Sequence, residues 1–189
     1  MNKKTISTLL ASILIFITGT VSADSEGKRY IGIQYGVADY SEKGISKNFN
    51  PTALIGRYGY YFYPSLSIEG RLGFGVRDDT KFVREFGTSG LDATLELGSI
   101  LGIYGTGHIS LAESLSLYGI LGVSRVEATA SVPAFPAADS TEDEVSFSYG
   151  IGTDISLGKN IALNIEYMKY LDKDNLDLGV IGAGVVFNF

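Results

Sequence analysis

From residue 28 to the C-terminal Phe189, apolar residues alternate with small or polar residues at a period of two, in one segment after another. Successive side chains of a β-strand point to opposite faces, so each segment is predicted to form a strand with one apolar face. In the last segment one face carries Ile181, Ala183, Val185, Phe187 and Phe189. An apolar face repeated in every strand has to be covered by a protein core or by lipid, which limits the chain to a few all-β architectures.

The alternation predicts eight strands, at about residues 28–40, 52–63, 66–77, 93–108, 115–128, 145–157, 161–170 and 176–189. Most of them reach the ~9–11 residues that a tilted transmembrane strand needs. Short connections at 64–65, 109–114 and 158–160 alternate with longer, more charged ones at 41–51, 78–92, 129–144 and 171–175. Short turns on one rim and long loops on the other are typical of an outer-membrane barrel with periplasmic termini. The prediction is an eight-stranded antiparallel up-and-down transmembrane β-barrel.

The first 23 residues have the pattern of a secretory signal peptide, with Lys3 and Lys4, then an apolar run, then Val21-Ser22-Ala23. An uncleaved anchor is the weaker interpretation, because the apolar run is shorter than the ~20 residues of a spanning helix. We therefore predict a cleaved peptide at 1–23 and one barrel domain at 24–189, exported through the periplasm to the outer membrane. Loss of Lys3 and Lys4 would change the formal charge from −6 to −8.

Composition narrows the classes of function. The chain has no cysteine and one histidine, so it offers no disulfide, no thiolate nucleophile and little for a metal site. Its formal charge of −6 and the absence of a basic stripe argue against nucleic-acid binding. Its 12 Tyr and 10 Phe can supply aromatic belts at the membrane interfaces. No cofactor is indicated.

The apolar faces could point outward to lipid or inward, as in a soluble lipocalin-like barrel. In the third segment Ile68, Leu72 and Phe74 oppose a face with Glu69 and Arg71, and the polar faces elsewhere are mainly Gly and Ser. The outside of a soluble barrel would carry more Lys and Glu. An arginine on the lipid side would cost roughly 2–4 kcal/mol at the midplane. We therefore expect the apolar faces to point outward.

Six charged residues then fall on the polar phase and are predicted to point into the lumen: Arg57, Glu69, Arg71, Glu96, Asp154 and Glu166. Counting from the turn at 64–65 places Arg57 beside Arg71, and the turn at 158–160 brings Asp154 near Glu166. Strands two and three face strands six and seven across the ring, so we expect ion pairs across the interior. Independent hydration of each charge is the alternative, but a lone charge in a narrow interior is costly. Packed, bridged side chains would make a poor general diffusion pore.

The connection at 129–144 contains two of the four prolines and an acidic end, and we predict it to be the most mobile segment. Its acidic residues could attract Ca²⁺. They lack the glycine and the spacing of an EF-hand, so a solvated loop is the preferred interpretation.

His108 and Ser110 form an H-x-S pair similar to that of the outer-membrane lipid A deacylases, in which a histidine acts as base for a serine. Leu111 stands where that family usually has asparagine, and both residues fall on the lumen phase at the periplasmic rim. Lipid A lies in the opposite leaflet. We therefore favour a turn-capping role for His108.

Three stretches carry a family resemblance: the strand around Tyr118-Gly119, the stretch VSFSYGIGTDISLGKNIALNIEYMKY, and the closing LGVIGAGVVFNF. They resemble the last four strands of the OmpA/OmpX-type outer-membrane barrels, which include adhesion and invasion proteins. Phe187-Asn188-Phe189 departs from the usual Tyr-Arg-Phe but keeps the terminal Phe. The resemblance implies that Phe189 is read by the barrel-assembly machinery.

The resemblance offers no catalytic residues. It implies a structural or surface-interaction role through the extracellular loops, in contact with outer-membrane lipids and lipopolysaccharide, with a host or extracellular ligand as a further partner. We expect a monomer. A narrow channel for small solutes is the alternative, and a lipid A hydrolase is the least favoured.

Overall fold

The computed structural model describes residues 25–42, 48–83, 91–132, 140–173 and 176–189. The predicted signal peptide lies outside these residues. Within them the chain forms β1 (Arg29–Glu42), β2 (Thr52–Tyr63), β3 (Leu66–Arg77), β4 (Asp79–Val83), β5 (Leu91–Ala112), β6 (Leu115–Ser131), β7 (Ser140–Ser156), β8 (Ile161–Asp172) and β9 (Leu176–Asn188). No helix in the described ranges is long and apolar enough to cross a membrane.

The strands close into a ring in which all pairs are antiparallel. β1 pairs with β9 from Tyr30↔Asn188 to Glu42↔Leu176, which joins the first and the last of the described strands. β3 pairs directly with β5, so β4 is not a member of the ring. β4 follows β3 and pairs with the far end of β5. The predicted eight-stranded up-and-down barrel is confirmed.

Two strands run further than the sequence predicted. The connection at 129–144 is not a loop at its ends, because Thr129 pairs with Thr141 and Ala130 with Ser140. Residues 133–139 lie outside the described part of the chain. At the paired ends of this connection the outer face carries polar and charged side chains, so no apolar periodicity in the sequence marks the strands. We call the rim with these long connections the long-connection end, and the opposite rim the short-turn end.

The outward faces are apolar and the inward faces are polar over the middle of the barrel. Outward side chains such as Phe147 are more than half exposed, at 59%, whereas the inward Arg71 is 2% exposed. A row of lipid-facing residues in β1 alternates with buried ones in the same way. The soluble, lipocalin-like arrangement is therefore wrong for this chain, and the barrel presents its apolar band to lipid.

The interior changes character along the barrel axis. Toward the long-connection end it is filled by an apolar cluster that includes Tyr40, Phe49, Leu95, Leu97 and Leu178. Phe49 belongs to the connection after β1 and is held by mutual backbone hydrogen bonds of 2.9 Å with Tyr40. Below this cluster lie the buried charges. The core of the protein is therefore inside the ring, as in a soluble protein, although the ring is surrounded by lipid.

Candidate functional site

Four of the predicted lumen charges meet in one buried cluster. Arg57 of β2 lies directly opposite Arg71 of β3, and Glu69 is two residues before Arg71 on the same face. Glu166 reaches them from β8 on the other side of the lumen. All four side chains are buried. The predicted basic wall facing an acidic residue across the interior is present, and Glu69 adds a carboxylate to the basic side.

Arg71 is the anchor of this lumen cluster, because each nitrogen of its guanidinium has a partner. Nε donates to Glu69 Oε1 at 2.6 Å, and Nη2 donates to Glu166 Oε2 at 2.8 Å. Nη1 donates to the other oxygen of Glu166 and, at 3.2 Å, to the hydroxyl of Tyr170. A bidentate contact between a guanidinium and a carboxylate is both stronger and more specific in geometry than a single hydrogen bond.

Arg57 is held more loosely. Its Nη1 donates to the Tyr118 hydroxyl at 3.1 Å and to Glu166 Oε2 at 3.4 Å. Its Nε is buried without a hydrogen-bond partner, 3.7 Å from Glu69 Oε2, and Nη2 lies 3.8 Å from Asp154 Oδ1. The guanidinium carbon also lies 5.6 Å from the ring centres of both Tyr30 and Tyr118, within the range of cation–π attraction. Three carboxylates therefore share Arg57, and none binds it tightly.

Asp154 joins the edge of the cluster and is only partly buried. Its Oδ1 accepts a hydrogen bond of 2.7 Å from Asn164 Nδ2, and that amide also donates to the Tyr118 hydroxyl at 2.6 Å. Asn164 lies opposite Asp154 in the β7–β8 ladder, and Glu166 lies one inward position further along β8. The predicted proximity of Asp154 and Glu166 follows from this register.

Glu96 does not join the cluster, and its predicted inward position is wrong. It is exposed on the outer face, while Leu95 and Leu97 are the buried neighbours. The cause is a β-bulge in β5, where Gly98 has no partner between the pairs Leu97↔Ala128 and Ser99↔Glu127. One extra residue moves every side chain beyond it to the other face.

Four buried tyrosines complete the cluster, and the sequence analysis did not assign them to it. Their hydroxyls hydrogen-bond as follows: Tyr30 donates to Glu69 at 2.6 Å, Tyr118 donates to Glu166 at 2.8 Å, Tyr104 pairs with Ser124 at 2.6 Å, and Tyr170 accepts from Arg71. Buried tyrosine hydroxyls need such partners. Tyr30 satisfies Glu69 Oε2, to which neither arginine donates a hydrogen bond, and Tyr118 is a third donor to Glu166 Oε2 beside the two arginines.

Three of these rings lie over a glycine on the neighbouring strand. Tyr30 faces Gly59, Tyr104 faces Gly122, and Tyr118 faces Gly152 in the respective ladders. A Cβ at Gly59 would lie 2.0 Å from the Tyr30 ring, and one at Gly152 would lie 2.4 Å from the Tyr118 ring. A sequence signal exists, an inward Tyr paired with an inward Gly, but it becomes readable only when the strand register is known.

His108 lies in a column of aromatic rings below the cluster. Its ring centre is 5.2 Å from that of Tyr61 and 5.1 Å from that of Tyr118, and its Nε2 is 3.0 Å from Thr106 Oγ1. The predicted turn-capping role is wrong, because β5 continues four residues beyond His108 to Ala112. His108 is a packed lumen residue at the short-turn end.

The short-turn end of the lumen contains a polar cavity of about 250 Å³. Arg57, Tyr61 and Asp154 line it, together with Ser110, Ser116 and other residues of the rim. The apolar cluster lies at the opposite end of the interior. In the described ranges no group of three or more His, Cys, Asp or Glu side chains is placed to hold a metal ion.

The second candidate site is the hairpin of β6 and β7, which rises beyond the apolar band. β7 pairs with β8 only from Tyr149↔Lys169 to Ser156↔Ala162. Residues 140–148 pair with β6 alone, and in the described part of the chain no strand covers their other side. We call this segment the free edge of β7. Its lower end is tied to the barrel wall by Ser148 Oγ, which donates to the Tyr170 carbonyl at 3.0 Å.

Two acidic side chains of this hairpin take part in exposed ion pairs. Arg125 Nε donates to Asp143 Oδ1 at 2.8 Å, and Lys173 pairs with Glu144. The hydrogen bonds and charge of Arg125 hold the pKa of the Asp143 carboxyl below its usual range. Val123 in β6 and Val145 in β7 are the last large apolar side chains on the outer faces of these strands. Arg125 lies two residues beyond Val123, and Asp143 lies two residues beyond Val145.

Comparisons with known proteins agree with this architecture. The family model described as "Outer membrane protein beta-barrel domain" matches residues 8–189. The crystal structure of Ail, the attachment invasion locus protein of Yersinia pestis, is 21% identical over 87% of this chain and 99% of that chain, with a TM-score of 0.61. The structure of Ail in complex with the heparin analogue sucrose octasulfate is 20% identical over 87% of this chain and 99% of that chain, with a TM-score of 0.59.

Neisserial surface protein A is 17% identical over 87% of this chain and 100% of that chain, with a TM-score of 0.61. At these identities the likenesses show the fold. No curated protein sequence matches the chain significantly.

Proposed function

The chain belongs to the outer membrane protein β-barrel family, and from that premise we propose that it is a non-enzymatic barrel that binds a partner outside the cell through its β6–β7 hairpin. The protein is located in the outer membrane. The family asymmetry of short periplasmic turns and long outer loops assigns the long-connection end to the cell surface. The barrel then serves as the anchor, and the hairpin as the binding element.

The observation that carries the proposal is the free edge of β7. An unpaired strand presents a row of backbone N–H and C=O groups, and proteins normally cover such edges or bind extended segments on them. Here the edge is nine residues long, residues 140–148, and the hairpin is fixed at its base by the lumen core. Fixing the hairpin in place lowers the entropy lost when a partner binds.

The closed interior supports an anchoring role rather than conduction. The arginine cluster and the apolar cluster fill successive layers of a narrow lumen. The polar cavity of about 250 Å³ at the short-turn end favours the alternative, a narrow channel for small solutes. Planar-bilayer recording separates the two: we expect no reproducible single-channel steps from the purified protein, and such steps would favour the channel.

We also propose that Phe189 acts in assembly. Its ring is exposed on the outer face, packed on Phe187 at 6.2 Å between ring centres, where β9 meets β1. That position leaves the terminal aromatic accessible to the barrel-assembly machinery before the ring closes. The closed ring then needs no second copy to cover an edge within the membrane, which fits a monomer surrounded by lipid and lipopolysaccharide.

The test compares intact cells that express the full chain with cells that express a shortened hairpin. An Asn-Gly turn replaces residues 127–143 and joins Val126 to Glu144, which face each other in the ladder. We expect cells with the full chain to bind immobilised extracellular-matrix components and cells with the shortened hairpin to lose that binding. The control replaces residues 43–47 by Gly and Ser residues. Equal binding by all three would contradict the proposal, provided that gel mobility shows folded barrels.

The non-enzymatic part of the proposal has its own test. His108 is packed between Tyr61 and Tyr118 at the short-turn end, opposite the outer leaflet in which lipid A lies. We expect mass spectrometry to find the same lipid A acyl chains in cells with and without the protein. Loss of one acyl chain on expression would show a deacylase.

A further inference from the structure

We propose that the partner docked on the free edge of β7 is an extended polypeptide segment rich in lysine or arginine, and not a sulfated glycan. The inference rests on the proposed function, since it names the chemistry of the partner that the hairpin binds. It follows from the charges that surround the edge and from the geometry of an added strand.

The part of the sheet that protrudes beyond the apolar band is acidic. It comprises residues 91–97 of β5, 125–131 of β6 and 140–145 of β7. β4 extends it beside residues 91–95 of β5 and carries Asp79 and Lys81, which pair with each other. The other acidic side chains of this part of the sheet are Asp92, Glu96, Glu127, Glu142, Asp143 and Glu144, and Arg125 is its other basic side chain. The displaced Glu96 is one of these, because the bulge at Gly98 turns it to the outer face.

The basic side chains near the edge are already engaged. Arg125 binds Asp143, and Lys173, which follows β8, pairs with Glu144. Within the described residues, Asp92, Glu96 and Glu142 form no ion pair, and Glu127 interacts only with the charge of Arg125, which already binds Asp143. The charge left for a partner on this sheet is therefore negative.

The edge places these carboxylates where an added strand would meet them. Glu142 and Glu144 point to one face of β7 and Asp143 points to the other, because side chains alternate along the strand. A partner strand that hydrogen-bonds to the edge sets its own side chains beside them. Cross-strand pairs of opposite charge are stabilising and pairs of like charge are destabilising. Lysine or arginine at alternate positions of the partner meets this requirement.

A sulfated glycan does not meet it. Ail is seen in complex with the heparin analogue sucrose octasulfate, a polyanion. A polyanion brought to the protruding sheet of this chain would face Glu127 and Glu142 and would find Arg125 occupied. The ligand class of that neighbour therefore does not transfer to this surface.

The experiment measures binding of synthetic peptides to the full chain in lipid nanodiscs by fluorescence anisotropy. The probes are a Lys-Val repeat, a Glu-Val repeat of equal length, a Lys-Pro repeat of equal charge, and heparin. Proline lacks the backbone N–H that strand pairing uses. We expect the Lys-Val repeat to bind most tightly, with an affinity that falls as salt is raised.

Two variants locate the site. Glu142→Gln removes one unpaired carboxylate of the free edge and should weaken Lys-Val binding about two- to five-fold. Glu113→Gln makes the same change in an exposed turn at the short-turn end and should leave binding unchanged. The inference is overturned by equal effects of the two variants, by a Lys-Pro repeat that binds as tightly as Lys-Val, or by tighter binding of Glu-Val or heparin.

These outcomes are distinct from those that test the hairpin. Cells whose shortened hairpin still binds the matrix would contradict the proposed function itself. Loss of matrix binding in that variant, combined with tight binding of the Glu-Val repeat to the full chain, would leave the function standing and overturn the cationic partner.

Discussion

The lumen and the protruding hairpin each contain an arginine that forms a bidentate pair with a carboxylate. Arg71 holds Glu166 in the lumen, and Arg125 holds Asp143 on the hairpin. The side chains are 0% and 3% exposed in the first pair and 62% and 41% exposed in the second. The chemistry is the same and the surroundings differ. Burial removes the water that would otherwise replace a lost partner, so only the lumen pair is predicted to control the stability of the fold.

The largest effect is expected for Arg71→Ala. Removing it leaves Glu69 and Glu166 buried without their main cation, which should lower the free energy of unfolding by about 3–5 kcal/mol. Denaturant titration of the lipid-folded barrel measures this change. Arg125→Ala is the matched control and should shift the unfolding midpoint much less, because an exposed ion pair contributes little to stability. Unchanged unfolding of Arg71→Ala would show that the lumen charges are independently hydrated.

A smaller loss is expected for Gly152→Ala. The new methyl group would lie 2.4 Å from the ring of the buried Tyr118, which also bonds Glu166 and Asn164. Overpacking of this kind costs about 1–3 kcal/mol. Gly119→Ala is the control, since a Cβ there meets nothing within 4 Å. Equal unfolding midpoints for the two variants would mean that the tyrosine column can move aside.

The two lumen arginines should respond differently to lysine. Arg71→Lys loses contacts of a guanidinium in which every nitrogen is bonded, whereas Arg57→Lys gives up a guanidinium whose Nε already lacks a partner. Lysine supplies charge without the fork geometry. We expect Arg71→Lys to be the more destabilising by about 1–2 kcal/mol. The reverse order in denaturant titrations would contradict the assignment of Arg71 as the anchor.

The smallest effect concerns pH at the hairpin. Arg125 lowers the pKa of Asp143 in the folded chain, so the pair stabilises above the unfolded pKa of about 3.9 and loses that contribution as pH falls through the folded value. Carboxyl-resolved NMR in nanodiscs should give an Asp143 midpoint below 3.9. The midpoint should rise in Arg125→Ala. An unchanged midpoint would show that solvent, not Arg125, sets this pKa.

Much of the lumen cluster could be predicted from the chain, and some of it could not. Arg57, Glu69, Arg71 and Glu166 fall on the polar phase of stretches without a bulge, at 53–61, 67–75 and 161–169, so a count of two places them inward. Glu96 lies beyond a bulge that no local pattern marks, and the same count places it on the wrong face. Arg71 is bound more tightly than Arg57 because of partners from β7 and β8. One of these partners, Glu166, is 95 residues from Arg71 and 109 residues from Arg57 in the sequence.

The hairpin shows the other limit of a local pattern. Period-two alternation predicts a strand when one face is apolar and the other polar, which holds for β6 and β7 within the band of lipid contact. Beyond Arg125 and Asp143 the outer face is polar and charged, so the signal vanishes although the strands continue through the pair Ala130↔Ser140.

The sequence by itself determined the closed barrel, the outward direction of its apolar faces and the inward direction of Arg57 and Arg71. These features depend on alternation within single strands, which is a local property. Three features were decided by the tertiary structure alone. They are the outward direction of Glu96, the fuller hydrogen bonding of Arg71 compared with Arg57, and the free edge of β7. Each of these depends on the register between strands and on contacts across the lumen, which no single strand encodes.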